Sequence, residues 1–64
     1  MKLLSKKITA ARVSLHPASV MRLVRQGKFP APVALGSIRI AFVEEEVDGW
    51  ILARVEEREG RTQR

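Results

Sequence analysis

A chain of 64 residues bounds one domain with a small core: at this length folding hides only about 60% of the unfolded surface, which leaves little room for an enzyme with a deep pocket. The absence of Cys excludes disulfides and thiolate metal sites and fits a reducing compartment. All seven acidic residues lie at or beyond Glu44, so the first 43 residues carry eight Lys and Arg (Lys2, Lys6, Lys7, Arg12, Arg22, Arg25, Lys28, Arg39) against no carboxylate, and the net charge of +5 becomes a directional field that points to an anionic partner.

Met1-Lys2-Leu3-Leu4 superficially resembles the start of a secretion signal, but Ser5, Lys6 and Lys7 follow at once, and no apolar run approaches the roughly 18 residues of a membrane span. The expected location is the cytoplasm. Ser5 can cap a first helix over about Lys6 to Arg12, with Ile8 and Ala11 facing inward. Val13, Ser14 and Leu15 form a tight connection, and His16 should be non-helical because a proline follows it. Pro17 then suits the first position of a second helix, since its φ is fixed and it has no N–H to leave unsatisfied.

Counting 100° per residue from Pro17, Val20, Leu23 and Val24 fall together with Met21 at their margin, whereas Ala18, Ser19, Arg22, Arg25 and Gln26 occupy the opposite arc. Gly27 stops this helix, and Phe29-Pro30-Ala31-Pro32 makes a stiff extended turn with Phe29 as a core plug. Val33-Ala34-Leu35 and Ile38 to Phe42 read as strands joined by Gly36-Ser37 in a type II′ hairpin, with Ile38, Ile40 and Phe42 inward and Arg39 and Ala41 outward. Glu44 to about Arg58 reads as a third helix with Val47, Trp50, Ile51 and Val55 on one face and the Arg54 stem able to lie along it. Its acidic start and basic end suit the helix dipole; Gly49 in its interior suggests a close backbone approach. Residues 59–64 are expected to fray.

The expected fold is α+β, mostly α: a small winged helix-turn-helix of helix, helix, β-hairpin and helix, with residues 1–64 a single DNA-binding domain. In such an arrangement the second helix enters the major groove and the hairpin touches the backbone beside it. Arg22 and Arg25 can fork onto guanine or grip phosphate, Gln26 can pair with adenine, and Ser19 can reach a base edge or a phosphate. Lys28 and Arg39 suit phosphate or the minor groove, while Lys6, Lys7 and Arg12 add long-range attraction.

From Leu15 to Val33 the run Leu-His-Pro-Ala-Ser-Val-Met-Arg-Leu-Val-Arg-Gln-Gly-Lys-Phe-Pro-Ala-Pro-Val, followed by Phe42, Glu46-Val47 and Trp50, resembles the AlpA-type family of small phage regulators and excisionases, related to the DNA-binding domains of MerR-like proteins. The resemblance covers most of the chain and implies double-stranded DNA binding, with either excision control beside an integrase or regulation of a nearby promoter as output. Ser14-Leu15-His16 stands where the family often has Gly-Leu-Ser, so Ser14 should strain its turn. Pro17 replaces a frequent basic residue and removes one potential phosphate contact; Met21 stands for a frequent Tyr, and Phe42 for a usual Trp.

Other readings stand beside these. Arg22 and Arg25 can be a solvated helix face, and Arg39 can merely discourage edge pairing. His16, the only His, reads better as a polar turn residue than as a switch or catalyst. Glu44 and Asp48, four apart, read as a solvated helix start rather than an oxygen-ligand metal site, and Trp50 as a core anchor. No nucleophile–base pair, glycine-rich phosphate loop or metal cluster is apparent, so neither an enzyme nor a cofactor is expected. A competing class is a protein-interaction adaptor that docks an integrase or RNA polymerase through the C-terminal helix, with Leu52 and Val55 as contacts. RNA binding ranks lower because Phe29, Phe42 and Trp50 all have core roles.

Overall fold

The computed structural model describes residues 1–62. A short strand β1 (Leu3–Leu4) leads into helices α1 (Lys6–Arg12) and α2 (Pro17–Arg25), then strands β2 (Val33–Ala34) and β3 (Ile40–Val43), and finally helix α3 (Glu44–Thr62). This is the α+β, mostly helical, winged helix-turn-helix order expected from the sequence, with one addition. β1 joins the hairpin on its open side, giving a three-stranded antiparallel sheet in the order β1-β3-β2. Two apolar residues carry no readable alternation, so β1 was not legible as a strand. It exists because Leu3 and Leu4 pair with Val43 and Phe42, and the Glu44 N–H extends the ladder to the Lys2 carbonyl at 2.9 Å.

Ser5 caps α1, its hydroxyl accepting the Ile8 N–H at 3.1 Å. The buried face of that helix differs from expectation. Thr9 and Ala10 are buried and Val13 packs against the core, whereas Ile8 is 54% exposed and Ala11 is exposed. The strand pairing of Leu4 fixes how the helix enters, and small side chains at Thr9 and Ala10 let it lie against α2 and β3. The core is completed by Leu4, Val20, Phe29, Phe42 and Val47, with Met21, Leu23, Val24, Trp50 and Ile51 partly buried around them. The apolar arcs of α2 and α3 are thus the ones their periodicity predicts.

Both α1 and α2 end in the same hydrogen-bonded cap. After α1, Ser14 N–H donates to the Ala11 carbonyl (3.2 Å) and Leu15 N–H to the Ala10 carbonyl (2.9 Å); after α2, Gly27 N–H donates to Val24 (3.0 Å) and Lys28 N–H to Leu23 (2.8 Å). The residue at the turn takes a left-handed backbone in each, Ser14 at φ 60° and Gly27 at φ 72°. Glycine meets no Cβ penalty there; serine does, which is the strain anticipated at Ser14. Ser14→Gly is therefore expected to raise stability by about 0.5–1 kcal/mol, and Gly27→Ser to lower it by about 1 kcal/mol, as shifts in the urea midpoint at constant slope.

The hairpin register departs from the two-residue turn. Val33 pairs with Ala41 and Ala34 with Ile40, and the Leu35 N–H donates to the Arg39 carbonyl at 2.8 Å, so the connection is Gly36-Ser37-Ile38. Gly36 does not take the positive φ that a type II′ turn requires. Ile38, expected to face inward, is 90% exposed at the apex, while Ile40 and Phe42 keep their inward positions. Ala41, expected outward, is buried, paired with Val33 of β2. In α3, nothing lies within 4 Å of where a Gly49 Cβ would stand, so no close backbone approach explains that glycine. The helix also runs past Arg58 to Thr62; Gln63 and Arg64, the end of the expected frayed tail, lie outside the described residues.

Candidate nucleic-acid interface

α2 is held rigidly enough to present a surface. Pro17 occupies its first turn, and the His16 Nδ1 accepts the Ala18 N–H at 3.0 Å, so the imidazole is the N-cap and serves as the polar turn group expected of it. This leaves the Ser19 hydroxyl outside the cap. At the other end, Trp50 on α3 donates its indole N–H to the Lys28 carbonyl at 2.8 Å. Its ring packs on Phe29 at 4.9 Å between centroids, and Phe29 meets Phe42 edge-on at 5.7 Å. The backbone after α2 is therefore pinned to the core while the Lys28 side chain stays exposed.

Ser19, Arg22 and Gln26 follow one another along one face of α2, with Arg25 flanking them. Arg22, Arg25 and Gln26 are exposed and Ser19 is half-buried. Neither arginine forms an ion pair among the described residues, and α3's carboxylates do not reach them. Lys28 stands just beyond the helix end. Arg39 is exposed on the hairpin, where its carbonyl accepts the Leu35 N–H.

Arg12 behaves differently from its neighbours. Its guanidinium holds Asp48 at 3.0 Å and Glu44 at 3.2 Å, across from α1 to the start of α3. The hydrogen bond to Asp48, joined by the charges of Asp48 and Glu44, raises its pKa above the ordinary arginine value against a smaller opposing effect of desolvation. Arg12 is thus a structural clamp, and its contribution to a long-range field is offset locally. Glu44 and Asp48, one turn apart, are the acceptors of that clamp; among the described residues no group of three or more His, Asp or Glu gathers where a metal ion could sit. The signal for the clamp, a lone early Arg and two acids four apart, was present in the sequence, but nothing local linked positions 36 residues apart.

Arg54 lies over the Trp50 ring at 5.2 Å, on the apolar face its stem was expected to follow, and also pairs with Glu57 at 3.0 Å. No helix among the described residues is long and apolar enough to cross a membrane.

Residues 3–55 match the family model of the prophage CP4-57 regulatory protein (AlpA). The chain belongs to the AlpA family. This AlpA-family chain is also similar to the uncharacterized protein ORF88 of Enterobacteria phage P4, at 34% identity over 41 residues, which is 64% of the chain and 47% of that relative. It therefore spans about half the length of the curated relative it matches. No solved structure matches it significantly. The matched segment contains β1 through the Trp50 anchor, and hence every residue of the α2 face and the hairpin.

Proposed function

We propose that this protein binds double-stranded DNA in a sequence-dependent manner, with α2 in the major groove and the hairpin wing beside it. The observation that carries the reading is the exposed face of α2: Arg22 and Arg25 reach solvent without a carboxylate partner among the described residues, on a helix whose two ends are capped and pinned. Arg22 and Arg25 can each make a bidentate contact with guanine or hold a phosphate, and Gln26 can read adenine. Ser19 adds a base or phosphate contact; Lys28 and Arg39 hold backbone on either side. No catalytic role belongs to this reading.

Residues 1–64 act as a single DNA-binding domain in this proposal, and the regulatory output is either control of excision beside an integrase or control of a promoter beside RNA polymerase. A footprint on neighbouring genomic DNA separates the two, because repeated sites at an attachment region and one box upstream of a start site imply different tasks. The adaptor reading, in which Leu52 and Val55 dock a protein, has one observation in its favour: Leu52 is 57% exposed.

Salt dependence tests the binding mode. If about five phosphates are neutralised, the log of the binding constant for a short mixed-sequence duplex should fall against log salt with a slope near −4.5. A flat response would remove the electrostatic basis of the proposal.

A further inference from the structure

The hairpin apex is unlike the rest of the exposed surface. Ile38 is 90% exposed, more than any other bulky apolar side chain among the described residues except Met1, and its loop neighbours Gly36 and Ser37 are too small to shelter it. Nothing lies within 4 Å of a Cβ built at Gly36, so the tip is open. The Leu35 N–H to Arg39 carbonyl bond closes the loop beneath it, and Ile38 itself is β-branched and stiff, so its side chain is held out in few rotamers. Leu35, 54% exposed, adds apolar surface at the base of the tip. Arg39 follows directly, exposed and without an ion pair among the described residues, in a part of the chain that has no carboxylate before Glu44.

An apolar point flanked by a cation and free of negative charge is complementary to one surface in particular: the minor groove of a duplex, where phosphates line both walls and base edges form the floor. Side chains such as Ile, Leu, Met and Phe enter that groove in other proteins and part adjacent base pairs, while cations beside them hold the phosphates. We infer that the wing tip is a wedge, with Ile38 entering the minor groove and partly unstacking one base step while Arg39 anchors the adjacent backbone. This rests on the duplex-binding reading above and adds to it an action on the DNA: local opening, with flexible pyrimidine–purine steps preferred because they unstack at least cost.

Unwinding of a closed plasmid measures this directly. Relaxation by topoisomerase in the presence of saturating protein should leave the plasmid with a reduced linking number, and Ile38→Ser should bring that change close to the protein-free value. Because counterion release from the α2 face is untouched, Ile38→Ser should weaken binding to a mixed-sequence duplex by no more than about tenfold. Ile38→Leu should retain unwinding. An unchanged melting temperature by circular dichroism certifies the fold of each variant.

The wedge is overturned if Ile38→Ser unwinds as well as the parent, or if the parent binds without altering linking number. It is equally overturned if folded Ile38→Ser stops binding altogether, which marks a primary affinity contact, or if its main loss is self-association in sedimentation, which marks a contact between copies. Failure of the parent to bind duplex at all would instead remove the duplex-binding reading and the wedge with it.

Discussion

Replacing Arg22 and Arg25 together by alanine is expected to abolish duplex binding while leaving the fold intact. Both side chains are exposed and neither supports a neighbour through an ion pair among the described residues, so their removal takes nothing from the core. Alanine is also at least as good a helix former as arginine, which keeps α2 in place. A bidentate arginine contact contributes about 1–3 kcal/mol, so the pair should cost roughly 2–6 kcal/mol, a loss of about 30-fold or more in affinity. Fluorescence anisotropy on a labelled duplex reads the loss, and circular dichroism with thermal melting reads the fold. A Lys6→Ala and Lys7→Ala control should weaken binding much less, because those charges act at long range and are screened within about 10 Å at 0.1 M salt. Unchanged binding by a folded Arg22/Arg25 variant would leave the adaptor reading in front.

Phe42→Ala is expected to have the largest effect on stability. Phe42 is fully buried, sits on the central strand between β1 and β2, and meets Phe29 edge-on. Truncating such a residue typically costs about 3–5 kcal/mol, from lost transfer energy and the cavity left behind. At roughly 0.05–0.15 kcal/mol per residue, a domain of this size holds only about 3–10 kcal/mol in total. Much of the variant should therefore be unfolded at 25 °C, seen as loss of helical circular dichroism and of the melting transition. A cooperative transition near that of the parent would show that the sheet does not depend on this ring. Phe42→Trp tests instead whether the packing around residue 42 tolerates added volume, and overpacking there would cost about 1–3 kcal/mol.

Legibility followed the range of the interaction. The α1 boundaries, the Ser5 cap, the α2 start at Pro17 and the stop at Gly27 depend on groups within a few residues of each other, and all appear in the structure where the sequence puts them; the strain at Ser14 was expected only from the family resemblance, and its positive φ bears that out. The apolar arcs of α2 and α3 were readable for the same reason, since four or more residues repeat at helical spacing. In α1 only seven residues are helical, and the periodicity was too short to choose between Ile8 with Ala11 and Thr9 with Ala10. The hairpin loop offered Gly36-Ser37 as a turn, but register was decided by pairing with β3, whose other side is occupied by β1.

For the candidate site, the sequence determined its chemistry: cations gathered before any acid, and an α2 whose polar arc carries Ser19, Arg22, Arg25 and Gln26. Those properties are local or additive along the chain, so no partner segment can alter them. The tertiary structure alone decided which cations remain available, by tying Arg12 to Glu44 and Asp48, and which apolar residue stands at the wing tip, by sliding the turn one residue to leave Ile38 in solvent. Both outcomes depend on segments that are not neighbours in sequence meeting in the fold: α1 against the start of α3 for the clamp, and β2 against β3 for the register that places Ile38 in the loop while Ile40 and Phe42 stay inward.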